Sequence, residues 1–165
     1  MRAYNVRAAV LTVSTAKAYG RGSDDSGLLL GQFARGMGAK VVGGDLVVEN
    51  QEQIEARLRY WADSQHCTLI LTTGGTGFSP TDVTPEATRA VIDREAPGIA
   101  EAMRLASRDH TVQWMLSRGV AGIRDDCLIV NFPGSPDSIR QMIAVLVPAL
   151  PSAMAMLARP PAGPA

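Results

Sequence analysis

Residues 69–88, LILTTGGTGFSPTDVTPEAT, hold the densest set of groups able to do chemistry. Gly74, Gly75 and Gly77 can take positive φ and let a ligand approach the main chain closely. The N–H groups of such a loop can form a concavity for an anion. Thr73 and Thr76 add hydroxyls that can orient it, and Asp82 adds a carboxylate. The same residues also suit a tight connection between a strand and a helix, with Asp82 accepting turn N–H groups ahead of Thr84. The familiar nucleotide fingerprints do not fit. No lysine follows Lys40, so a P-loop is excluded, and Pro80 stands where a dinucleotide loop needs its third glycine.

The elements around this stretch are those of an open parallel sheet. Leu69–Leu71 form a short apolar run and residues 8–13, AAVLTV, another; both suit buried parallel strands. Residues 40–48 read as a further strand, with Gly43-Gly44 marking a bulge or bend. Residues 120–124 and 127–131 flank Asp125-Asp126 as a hairpin or a turn. Helices are expected from Asp24–Ser26 to Gly36 or Gly38, and from Asn50, which with Gln53 makes a capping box. Another starts at Thr84, with Thr84 as N-cap and Pro85 in the first turn. Ile99, Met103 and Ala106 mark the next, and one capped by Ser135 is broken near Pro148 and Pro151. Ser26 is either an N-cap or a ligand hydroxyl, and the cap is the favoured structural role. Trp61 falls on an apolar helix face, so it reads as core. His66 reads as a solvated loop histidine, and His110, Trp114 and Met115 as packing at the end of a helical layer.

Alternating strands and helices give a three-layer α/β/α fold with a mainly parallel, mixed sheet. Right-handed crossovers put the loops at 14–26, 72–82 and 131–135 on one rim. That rim should gather Ser14, Asp25, Ser26, Thr73, Gly74, Gly75, Asp82, Asn131, Pro133 and Ser135 around one pocket. Ligands sit beyond the carboxyl ends of strands in such sheets.

The 165 residues suit one domain over 1–157, followed by an Ala/Pro/Gly-rich tail at 158–165. The formal net charge is +0, so no basic field points to nucleic acid or a membrane surface. Cys67 and Cys127 read as free core thiols, without metal-type spacing. With no apolar leader and no membrane-length run, a cytoplasmic location is the expectation.

Beyond the local physics, TTGGTGFSPTDVTPEAT resembles the signature of the molybdenum-cofactor biosynthesis family. That family takes in molybdopterin adenylyltransferases, the N-terminal domain of gephyrin and a bacterial molybdopterin-binding branch. The resemblance continues through LTVS at 11–14, DDSG at 24–27, REAPGIAEAMR at 94–104, MLSRGVAGIR at 115–124 and LIVNFPGSP at 128–136. It implies a pocket for molybdopterin and ATP, and transfer of the adenylyl group to the terminal phosphate of the pterin. It implies magnesium (Mg2+) held by Asp82 and Glu49 together with substrate oxygens. It adds Gly27, Thr76, Ser117, Arg118 and Gly134 to the substrate-binding set, with Arg118 either a surface residue or a forked donor to phosphate.

The family's Pro-Asp-Glu after the second strand is here Val48-Glu49-Asn50, which moves one carboxylate by about 1.5 Å, a single C–C bond. Its Ser-Asp after the first strand is Ser14-Thr15. The alternative implied by these departures is a molybdopterin-binding protein without adenylyl transfer; a third reading is an interaction domain. The resemblance also implies a homotrimer and a separate molybdate-inserting protein as partner.

Overall fold

The computed structural model describes residues 5–158, so the expected tail lies outside the described residues from 159 on. Six strands run β1 Arg7–Val13, β2 Lys40–Val47, β3 Leu69–Thr73, β4 Arg94–Glu95, β5 Ala121–Arg124 and β6 Cys127–Phe132. The helices are α1 Thr15–Ala18, α2 Asp25–Gly36, α3 Gln51–Arg59, α4 Thr84–Val91, α5 Pro97–Ala106, α6 Pro136–Leu146 and α7 Leu150–Leu157. A π-helical turn, Tyr60–Ser64, extends α3, and a 3-10 turn, Val112–Leu116, follows α5.

One sheet has the order β2-β1-β3-β6-β5-β4. The first four strands are parallel, and β5 and β4 are added antiparallel. The central strands β3 and β6 are buried at every position and β1 at every position but its first, as near-continuous apolar runs require when helices cover both faces. The alternation of side chains divides the core in two. Val10, Leu69, Leu71, Leu128 and Val130 face α2, α5, α6 and α7 through Leu30, Met103, Ile139 and Leu150. Leu11, Ile70 and Ile129 face α3 and α4 through Ile54, Leu58, Ala87 and Val91. The fold is therefore three layers, α/β/α.

The bulge in β2 is where the glycines place it: Ala8 pairs with Val41 and Ala9 with Gly43, skipping Val42. A Cβ on Gly43 would lie 2.4 Å from the Trp61 ring. Trp61 is buried there and donates its indole N–H to Asp45 Oδ2 at 2.6 Å, an oxygen shared with Arg57. Asp125 takes φ 51 in the β5–β6 hairpin, and α6 meets α7 at a 67° bend across Pro148. Cys67 and Cys127 are buried and free. Among the described residues no single helix is long and apolar enough to cross a membrane.

Three local expectations are corrected. The Asn50 cap receives Gln53 N–H at 3.0 Å, but Asn50 N–H goes to Val48 O, so the reciprocal arm of the box is absent. Asp24, not Ser26, caps α2, accepting Gly27 N–H at 3.1 Å. Thr84 lies inside α4 rather than capping it, because its hydroxyl goes to Gly74 O at 2.9 Å. Beyond these, the residues before Pro97 form the short strand β4 by pairing with β5.

Candidate functional site

The strands β1, β3 and β6 end on one rim, and hydrogen bonds stitch the loops that follow them. Thr73 Oγ1 donates to Pro133 O at 2.8 Å, Gly74 N–H to Phe132 O at 3.1 Å, and Ser26 Oγ to Gly134 O at 2.7 Å. Ser14 N–H donates to Val47 O, and Glu49 N–H to Thr15 Oγ1 at 3.1 Å. A cleft of about 1180 Å³ opens between these loops. It brings together Ser14, Glu49, Thr73, Gly74, Gly75, Thr76, Asp82, Ser117, Pro133, Gly134 and Ser135 from the predicted set.

Two of the three glycines of the loop take the positive φ their composition allows, and Gly77 does not. Gly74 has φ 92 and Gly75 φ 65. A Cβ on Gly74 would sit 2.3 Å from Val13 O, and one on Gly75 2.4 Å from Thr84 Oγ1, so both positions need glycine twice over. The N–H groups of Gly75, Thr76 and Gly77 find no acceptor among the described residues, although Thr76 is buried. Successive unpaired N–H groups after an αL turn make an anion receptor. Such groups rarely stay unpaired without a ligand or water.

Asp82 lines the cleft, with one carboxylate oxygen accepting Ser79 N–H at 2.9 Å. Glu49 follows β2 and lines the same cleft. Lys17, which sequence reading passed over, lines it too, 3.7 Å from Asp24. Among the described residues no group of three or more His, Cys, Asp or Glu side chains is placed to hold a metal ion. Asp82 and Glu49 are hard oxygen donors of the type magnesium takes one or two of, completing its shell with substrate oxygens and water.

Five predicted site residues do other work. Asp25 is exposed in the first turn of α2, away from the cleft lining. Ser26 is spent on Gly134 O, fixing the third loop rather than facing a ligand. Gly27 is a packing glycine: a Cβ there would lie 2.2 Å from Asp24 Oδ2. Asn131 is buried, accepting Val120 N–H and donating to Thr72 and Thr88 hydroxyls, which locks β6 to β3 and α4. Arg118 is not a free phosphate fork. Its guanidinium reaches Gly77 O at 2.7 Å, Asp82 O at 2.5 Å and Glu86 Oε1 at 2.5 Å, clasping the loop that carries Asp82. The hydrogen bond from Arg118 holds the Glu86 carboxyl below its ordinary value of 4.5.

The far wall of the cleft was missed. Ser107, His110 and Trp114 line it from the end of α5 and the 3-10 turn, and Gln141 from α6. His110 is exposed and Met115 is 61% exposed, so neither packs in the helical layer as expected. Helical spacing could not separate a cleft wall from a core face here. The signal that separates them is an unpaired buried atom, visible only in three dimensions.

The chain matches the family model described as probable molybdopterin binding domain over residues 9–152. It is 45% identical over 112 residues to gephyrin of Dictyostelium discoideum, covering 68% of this chain and 16% of that protein. It is 42% identical over 107 residues to molybdopterin adenylyltransferase of Helicobacter pylori, covering 65% of this chain and 61% of that protein. The chain thus spans less than two thirds of these curated relatives. The solved structure of the molybdopterin biosynthesis enzyme MoaB from Thermus thermophilus superposes with a TM-score of 0.86 at 43% identity, over 92% of this chain and 96% of that one.

Proposed function

Since the chain belongs to the probable molybdopterin binding domain family, we propose that it transfers the adenylyl group of ATP to the terminal phosphate of molybdopterin. A phosphate oxygen of the pterin attacks the α-phosphorus of ATP. The new P–O bond forms as the bond to the bridging oxygen breaks, and pyrophosphate leaves. No serine or cysteine nucleophile is needed, so the protein's work is alignment and charge stabilisation.

The observation that carries this reading is the run of acceptorless N–H groups at Gly75, Thr76 and Gly77, opening on the cleft that Asp82 and Glu49 also line. The N–H groups would hold one phosphate. Asp82, kept in place by the Arg118 clasp, would with Glu49 hold magnesium, which when bound neutralises charge on the phosphates. Thr73 and Ser135 hold the loops in register through Pro133 O and the α6 cap. Similarity to named adenylyltransferases supports the same chemistry.

The assay mixes the protein with molybdopterin and MgATP and looks for adenylylated pterin and pyrophosphate. The expected result is product from the wild type, little from Asp82→Ala, and more from Glu49→Asp. Absence of product where a family enzyme is active removes the reading.

A second reading has its own support. Thr15 replaces the family's aspartate, and its hydroxyl is engaged by Glu49 N–H, so one expected acid is missing from the cleft. A molybdopterin carrier without transfer would bind pterin tightly, turn over no ATP, and lose little binding in Asp82→Ala. The resemblance also supports a homotrimer and a molybdate-inserting protein as partner; a monomer by light scattering would refute the trimer.

A further inference from the structure

A second cavity, of about 350 Å³, lies between the last turn of α4, strand β4 and α5. It shares no lining residue with the cleft. Its wall carries three guanidinium groups, Arg89, Arg104 and Arg118, and one carboxylate, Glu95. The rest is Gly119 and small apolar residues such as Pro97 and Ala100, with no aromatic ring.

The charges around it do not balance. Arg118 is answered by Glu86, and its other donors go to Gly77 O and Asp82 O. Arg89 Nε meets Glu95 Oε1 at 3.1 Å, but both side chains are half-exposed, and pairs of that kind are weak. Arg104 is partly buried and gives one N–H to Gly119 O at 3.0 Å. Among the described residues it has no ion-pair partner. Arg89 and Arg104 each stand in the last turn of a helix, where the dipole favours a cation. That explains each alone. Three guanidinium groups around one small cavity repel one another, and a partly desolvated charge without a counter-charge is costly.

We infer that this cavity is a second anion site, separate from the glycine loop, in which Arg104 and Arg89 hold a phosphate-type oxyanion. Arg104 has Nε and Nη2 to spare and Arg89 both of its Nη atoms, and such forks match phosphate oxygens in pairs. The volume lies at the small end of ligand sites, and the wall offers no ring a platform. Both features favour a compact inorganic anion over a nucleotide. Arg118 adds charge while its donors stay on the Asp82 loop, so the anion would sit against the residue that clasps that loop. The site does not depend on the transfer reaction proposed above.

The test titrates the full chain with inorganic phosphate and with pyrophosphate at low ionic strength, by calorimetry and by backbone amide shifts. The amides of Gly119, Val120 and Ala121 report this cavity, and those of Gly75, Thr76 and Gly77 report the cleft. Both sets should move in the wild type. Arg104→Gln should weaken the response at Gly119 to Ala121 roughly 10-fold or more, the scale of a lost charge-assisted hydrogen bond, and leave the glycine loop unchanged. Arg89→Gln, at a more exposed side chain, should weaken it up to about 5-fold. Glu95→Gln should tighten it by a similar factor, because it removes the carboxylate from the wall. Tighter binding of pyrophosphate than of phosphate assigns the site to a diphosphate, and equal binding assigns it to a single phosphate group.

Shifts confined to the glycine loop in the wild type overturn the site, and so does weaker binding in Glu95→Gln. A loss at both sets of amides in Arg104→Gln, with a lowered melting temperature, makes that arginine structural and overturns it too. So does dissociation of the wild-type assembly by Arg104→Gln in light scattering, since the spare charge would then belong to a contact with a second copy of the chain. Absence of adenylylated product with these shifts intact would remove the transfer reaction and leave the site standing.

Discussion

Replacing Arg118 by methionine tests whether its guanidinium holds the protein or a substrate. The side chain makes hydrogen bonds to Gly77 O, Asp82 O and Glu86, and is 33% exposed. A hydrogen bond to a charged donor is worth about 1.5–3 kcal/mol. Water can replace part of this at one-third exposure, and the ion pair with the 40% exposed Glu86 adds only about 0–1 kcal/mol. The variant should therefore lose about 2–3 kcal/mol, seen as a melting temperature lower by about 5–10 °C in a chain of this size. Adenylyl transfer should fall about 100-fold, the usual effect of a displacement near 1 Å, since both Gly77 and Asp82 are released.

Arg118→Lys should recover the charge but not the stability, because one ammonium cannot serve three separated acceptors. Glu86 adds a pH signature. Its carboxyl is held below 4.5 chiefly by the Arg118 hydrogen bond, with burial opposing. A depressed folded value stabilises the protein above 4.5, and that contribution is lost as pH falls through the folded value. The wild type should lose melting temperature below pH 4.5 more steeply than Arg118→Met or Glu86→Gln. The clasp is refuted if Arg118→Lys restores melting temperature and turnover. It is equally refuted if Arg118→Met melts within 1 °C of wild type, roughly the resolution of a melt, while losing salt-dependent phosphate affinity.

Gly74→Ala should cost at least about 3 kcal/mol in urea denaturation, combining αL strain with a main-chain clash at Val13 O. Gly22→Ala, at φ 85 but in open space, should cost only about 1–2 kcal/mol, and equal costs would refute the clash. Burial pushes the Cys67 thiol up to about 11 and raises Cys127 as well, so at pH 8 both stay protonated. A disulfide reagent should label the native protein slowly and both thiols quickly in denaturant; rapid labelling of the native state would contradict this.

The layers were readable because they obey local rules. The unbroken apolar runs of β1, β3 and β6 left no solvent face, so helices had to cover both sides, and handedness then put the loops on one rim. Local rules failed where a group found a distant partner. Thr84 and Ser26 have cap chemistry, yet their hydroxyls go to carbonyls 10 and 108 residues away in sequence. Arg118 has phosphate chemistry, yet carbonyls and a carboxylate 32–41 residues away consume it. Residue type fixes what a side chain can bond, and only the folded chain fixes what competes for it.

That competition separates scaffold from site. Asn131, Thr73, Ser26, Asp24 and Arg118 are all satisfied by protein, and together they make the cleft rigid before any ligand arrives. Among the described residues, the N–H row of Gly75 to Gly77 is left without a protein acceptor. That row can only donate and suits an anion. Donors fixed in place by a scaffold whose other groups are already paired need no reordering to receive a phosphate, which is how a preorganised cleft gains affinity.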